Sequence, residues 1–169
     1  MRTMKTAEAV NHGNLPIITD AGLKEINGGV WEGTPYARLP DLYPESARDW
    51  NIAPWNFNPE NGESMRSVYE RIYGTVLRIV SENEGKTIAI ASHGCAIRNL
   101  FCRLNGMPIE SLNEIIWCDN TGVSLVEFDC DMNPKIHFQF DISHLDEDLS
   151  TLGKQVWWKK ENRENLVFE

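Results

Sequence analysis

The chain has 169 residues, 41% of them hydrophobic and 24% charged, with 16 Lys+Arg against 25 Asp+Glu and a net charge of −9. That profile fits a single globular domain over residues 1–169 and excludes a wholly disordered chain. The shortage of cations argues against nucleic acid as a partner, and no apolar run approaches the roughly 20 residues that span a bilayer. Met1 to Val10 also lacks the apolar stretch of a signal peptide, so the expected compartment is the cytoplasm.

In chain order, Met4, Ala7 and Val10 share one side of a predicted helix from Thr3 to Val10, closed by Asn11-His12-Gly13-Asn14. Leu15 to Thr19 is short, apolar and β-branched, and predicts a strand. Asp20 to Gly33 is a Gly-studded loop. Thr34 to Glu60 holds five prolines and two of the six tryptophans, which predicts an ordered excursion of short helical turns. Met65, Val68, Ile72, Val76 and Ile79 repeat at helical spacing and predict a long amphipathic helix from Ser64 to Glu82. Thr87 to Ala91 has no alternation and reads as a strand buried on both faces. Ser92-His93-Gly94 follows, then a helix over Ala96 to Leu104. Gly122 to Phe128 and Lys135 to Phe140 alternate and predict a hairpin around Cys130 to Pro134. This order implies an α/β fold, a mostly parallel open sheet with an antiparallel edge strand.

Cys95, Cys102, Cys118 and Cys130 form no C-x-x-C pair and no zinc-finger spacing, so no metal site is expected. In an open α/β sheet, ligands lie beyond the carboxyl ends of strands. His93 falls there, and Gly94 allows close approach at a helix start whose free N–H groups favour an anion. The plainer reading is a histidine satisfied at a strand end. Glu25 and Glu32 sit among glycines in the 20–33 loop, as a positioned acid or as a solvated acidic loop. Glu63 opens the long helix, where its charge suits the helix dipole. Arg98 reads as structural, His144 as a supporting contact. Trp31, Trp50 and Trp55 read as packing residues or as cover for a pocket, and Trp157-Trp158 as a dimer contact or a tail packed on its own domain.

Segments in consistent order resemble the histidine phosphatase superfamily, the phosphoglycerate mutase-like fold. They are Arg2-Thr3-Met4-Lys5-Thr6-Ala7, Leu23 to Gly33, Asn61 to Ser64, and Ser92-His93-Gly94 followed by Ile97-Arg98. Asn120 to Ser124 and Asp141 to Leu145 also fit. The resemblance implies a three-layer sandwich that hydrolyses small phosphorylated metabolites through a phosphohistidine, with no cofactor. It places Arg2 in the phosphate pocket and gives Glu25 the acid/base role. His93 and Gly94 bind and orient phosphate, and Asn120 and Thr121 stand close behind.

One feature departs from that pattern. The family's phosphorylated histidine lies in Arg-His-Gly at the end of the first strand, and no Arg-His-Gly occurs in this sequence. Asn11-His12-Gly13 is no substitute, because it follows the Arg/Thr-Ala helix that the family's nucleophile precedes. The chain therefore resembles a member without its first strand, the following helix and the second strand. Weak or absent phosphatase activity is the expectation. Either Met1 is not the true start, or unpaired strand edges associate with something else, a second copy making a homodimer. A non-catalytic phospholigand-binding or interaction protein on the same fold is the alternative function.

Overall fold

The computed structural model describes residues 2–154. Five helices run in the order α1 (Arg2–Val10), α2 (Leu39–Leu42), α3 (Pro44–Ile52), α4 (Met65–Ser81) and α5 (Gly94–Leu104), before β1 (Val123–Phe128) and β2 (Pro134–Asp141). Short 3-10 turns fill much of the rest, including Ala21–Leu23 and Gly29–Trp31 in the glycine-rich loop.

The α4 helix forms where its periodicity places it. Ser64 caps it, its hydroxyl accepting from the Ser67 N–H at 3.2 Å, and Glu82 ends it. Its buried face is Met65, Val68, Tyr69, Ile72 and Val76. Against that face packs α5, burying Cys95, Ala96, Phe101 and Cys102. Each large aliphatic side chain buried here contributes about 1.5–3 kcal/mol relative to exposure. Beyond α5, a 3-10 segment, Ile109–Glu114, adds Ile109 and Leu112 to the core. Arg98 is buried within it and donates to the carbonyls of Leu112 at 2.6 Å and Ile115 at 2.7 Å, so it is structural.

The hairpin is antiparallel, with Val126 opposite Ile136 and Leu125 opposite Phe138. Its Asp129 carboxylate accepts from the N–H groups of Asp131 and Asn133 and shapes the turn. Phe140 meets Phe101 of α5 edge-on at 4.8 Å and ties hairpin to core. The 34–60 excursion is ordered as expected, with prolines at the first turns of α2 and α3.

The parallel part of the expected sheet is not assembled among the described residues, where β1–β2 is the only ladder. Residues 15–19 and 87–91 form no strand. Nor is 87–91 buried on both faces: Thr87, Ile88 and Ala89 are exposed, and Ile18 of the other segment is 86% exposed. A strand is a property of a pair, and no described segment offers these two a ladder. The α1 helix forms at its predicted place but buries none of its residues. Trp157 and Trp158 lie outside the described residues.

Candidate active site

The site begins with a loop that is held from outside. Between Asp20 and Val30 the backbone is pinned by Arg71 of α4, by Glu60 and Glu63 ahead of that helix, and by Ser92. The Arg71 guanidinium forms a two-pronged ion pair with Glu63, at 2.7 and 2.8 Å, and donates to the carbonyls of Gly22 at 2.7 Å and Lys24 at 3.1 Å. Burial raises the Glu63 carboxyl, but the bonds from Arg71 outweigh it and hold it below the usual range. The Ser92 hydroxyl donates to the Leu23 carbonyl at 2.8 Å. The Val30 N–H donates to the Glu60 carbonyl and the Glu63 N–H to the Asn27 carbonyl. Gly29 has φ +55°, and a Cβ there would lie 2.1 Å from the Glu60 oxygen, so this approach requires glycine.

That scaffold delivers Glu25 to the start of α5. One carboxylate oxygen accepts from the Ala96 N–H at 3.1 Å and from the Ile26 N–H at 2.9 Å; the other accepts from the Cys95 N–H at 3.1 Å. The imidazole of the N-cap residue, His93, makes no capping bond. A carboxylate 70 residues away in sequence supplies the cap instead. The N–H groups of Cys95 and Ala96, expected to face an anionic ligand, are thus engaged by Glu25.

His93 stands on the same helix start. The Thr3 hydroxyl lies 2.8 Å from its Nε2 and shares a hydrogen bond with it, which anchors α1. Burial pushes the imidazole below its ordinary pKa; nearby Glu25 opposes that shift and Arg2 adds to it. Arg2 and Glu25 therefore both act on His93, and both line one cleft of about 340 Å³.

The rest of the cleft wall is aromatic. Trp31 and Trp50 have ring centroids 5.7 Å apart, and each meets Phe57 edge-on at 4.8 Å. Trp117 adds a further wall 6.3 Å from Trp50. Trp31 and Trp50 therefore pack the excursion and line the cleft at once, whereas Trp55 packs against the core.

Of the residues singled out in sequence, Arg2 and Glu25 line the cleft; His93 lies outside its lining, at the helix start that Glu25 caps, where the charges of both reach it. Gly94 opens α5 and is exposed, and a Cβ there would be 3.5 Å from Trp117, ordinary contact distance. Asn120 and Thr121 are not in the cleft wall: Asn120 donates to the Thr151 hydroxyl and Thr121 shares a bond with His144. Glu32 reaches the cleft, its carboxylate accepting from the Gly28 N–H at 3.0 Å. His12 follows α1, exposed and away from the cleft wall. Three participants were not singled out in sequence: Thr3, Arg71 and Trp117. Thr3 adjoins Arg2 in its motif, and Arg71 lies on α4, eight residues past Glu63, which precedes the Ser64 cap. Trp117 carries no local signal. Among the described residues no group of three His, Cys, Asp or Glu could hold a metal ion.

The model of the histidine phosphatase superfamily, branch 1, matches residues 1–138. The chain belongs to that family. It is 30% identical over 132 residues to phosphoserine phosphatase 1 of Hydrogenobacter thermophilus, which covers 76% of this chain and 61% of that protein. It is 29% identical over 150 residues to phosphoglycerate mutase-like protein 4 of Arabidopsis thaliana, covering 86% of this chain and 63% of the relative. The chain thus spans somewhat under two thirds of the length of these curated relatives. Among solved structures it resembles YhfR of Bacillus stearothermophilus, at 30% identity and a TM-score of 0.81, over 86% of this chain and 72% of the other. A phosphoserine phosphatase mutant of Entamoeba histolytica, in complex with phosphoserine, is 25% identical with a TM-score of 0.71, over the same shares of the two chains. The fold is therefore the phosphoglycerate mutase-like α/β fold expected from the motifs. No helix among the described residues is long and apolar enough to cross a membrane.

Proposed function

We propose that the cleft is the phosphate site of a histidine phosphatase acting on small phosphorylated metabolites. The observation that carries this reading is that Arg2 and Glu25 line the cleft while His93, at the start of the helix that Glu25 caps, lies near enough for both charges to act on it. Arg2 brings the positive charge that a phosphoryl group requires on a chain of net charge −9. His93, whose charged form burial disfavours, orients the phosphate and can donate a hydrogen bond to a phosphoryl oxygen. Glu25 takes the acid/base role, giving a proton to the leaving alkoxide and later taking one from water. Asn120 and Thr121 stand behind the cleft wall, three and four residues past Trp117 in the chain. Membership of the superfamily and the named phosphatases among its relatives support the same reaction class.

Attack on phosphorus needs a nucleophile, and the sequence contains no Arg-His-Gly to supply the family's histidine. The 169 residues alone are accordingly a phosphate-binding site with weak turnover or none. That missing triplet also favours the second reading, a phospholigand-binding protein on the same fold.

Calorimetric titration with inorganic phosphate tests the site, and release of p-nitrophenol from p-nitrophenyl phosphate tests turnover. Binding that is lost in Arg2→Ala and His93→Ala is expected. Unchanged binding in both variants would show that phosphate sits elsewhere. Turnover that disappears with His12→Ala would make His12 the nucleophile and overturn its exclusion.

A further inference from the structure

We infer that this cleft prefers phosphate monoesters whose alcohol portion is an aromatic ring system over those whose alcohol carries a carboxylate. The inference rests on the reading that Arg2, Glu25 and His93 hold the phosphate. It goes further by naming what occupies the remainder of the cleft.

The wall there is made of indoles. Phe57 is 1% exposed and forms a fixed base, with Trp31 and Trp50 each braced against its edge at 4.8 Å. Trp31, Trp50 and Trp117 are only partly buried and supply cleft surface. Rings braced in this way lose little freedom when a guest enters, so a flat apolar guest gains contact at low entropic cost. A small polyol or an amino acid would instead leave this apolar surface unmatched.

The charges point the same way. Arg2 is the one cation among the described residues lining the cleft, and in this reading the phosphate uses it. The other charged lining residues are Glu25 and Glu32, both acidic. A carboxylate on the alcohol portion would face these two, and among the described lining residues no second cation stands to pair with it. An uncharged aromatic alcohol escapes that repulsion and gains the indole contacts.

The experiment is calorimetric titration of the full chain with three probes: inorganic phosphate, phenyl phosphate and phosphoglycolate, whose alcohol portion carries a carboxylate and no cation. Phenyl phosphate is expected to bind about tenfold more tightly than phosphoglycolate. Glu32→Gln keeps an oxygen for the Gly28 N–H while removing the charge, and should narrow the gap to phosphoglycolate about threefold. Trp50→Leu should reduce phenyl phosphate affinity by a larger factor than inorganic phosphate affinity. Should Trp50→Leu fail to fold by circular dichroism, the three probes on the unaltered chain still decide. Inorganic phosphate that binds, with phosphoglycolate equal to or tighter than phenyl phosphate, would overturn the aromatic preference while the phosphate site stands. No binding of inorganic phosphate or of any monoester would bring down the phosphate site and this inference with it.

Discussion

The carboxylate of Glu25 caps the helix that begins after His93, accepting from the Ala96 N–H at 3.1 Å. A single side chain thus closes the start of α5 and stands at the cleft where proton transfer is proposed. Its removal should therefore register in stability as well as in chemistry. Glu25→Ala leaves the N–H groups of Cys95 and Ala96 without their acceptor and should cost about 1–2 kcal/mol, the scale of a lost helix cap. Glu25→Gln keeps one amide oxygen and should cost less. Urea unfolding followed by circular dichroism measures both, and equal stability of all three proteins would show that the cap contributes nothing.

Arg71 acts one layer back. It joins Glu63 to the carbonyls on either side of Leu23, two of the points that aim Glu25. The pair is largely shielded from water, so its hydrogen bonds count for more than those of a surface ion pair. Arg71→Met should lower stability by about 2–3 kcal/mol, since it also leaves the Glu63 carboxylate half-buried and unpaired. Arg71→Lys should recover only part of that, because an ammonium cannot match the two-pronged geometry. If Lys restores full stability, the fork has no structural role.

The local elements were readable and the long-range ones were not. For α4, periodicity, the Ser64 cap and the charged outer face all agree, and the helix starts and ends within a residue of its predicted bounds. Residues 15–19 and 87–91 have strand composition, but composition cannot supply a partner ladder. His93 and Glu25 carried signals as a post-strand histidine and a loop acid. Their meeting depends on a contact across about 70 residues that no local pattern encodes. Arg71 could have been found from its position in the second turn of α4, on the helix that starts just after Glu63. Nothing in the residues around Trp117 marks it as a cleft wall.

The cysteines should separate cleanly by reactivity. Cys95 is fully enclosed, and burial raises its thiol far beyond the usual range. Burial also pushes the thiols of Cys102 and Cys118 up to about 11. Cys130 lies exposed in the hairpin turn. Iodoacetamide at neutral pH should therefore modify Cys130 first, with the other three labelled only on unfolding. Mass spectrometry of tryptic peptides reads the order, and early labelling of Cys95 would contradict the packing of α5 on α4.

Burial also sets the sign of the acid response at His93. Its folded pKa lies below the ordinary value of 6.5, so the unfolded chain takes up a proton before the folded one does. The stability that His93 contributes is complete above pH 6.5 and is lost as the pH falls from there through the folded value. Unfolding midpoints in urea should drop over that window, and drop less in His93→Gln.

The convergence of Arg2, Glu25 and His93 on one bound phosphate is tested most directly by the proton NMR titration of the His93 ring, assigned with His93→Gln. Without phosphate, its midpoint should lie below 6.5, as burial dictates. With saturating phosphate, the midpoint should rise, because a bound anion stabilises the imidazolium. The rise should vanish in Arg2→Ala. A His93 midpoint that is the same with and without phosphate would place the anion away from this ring and contradict the assignment of the site.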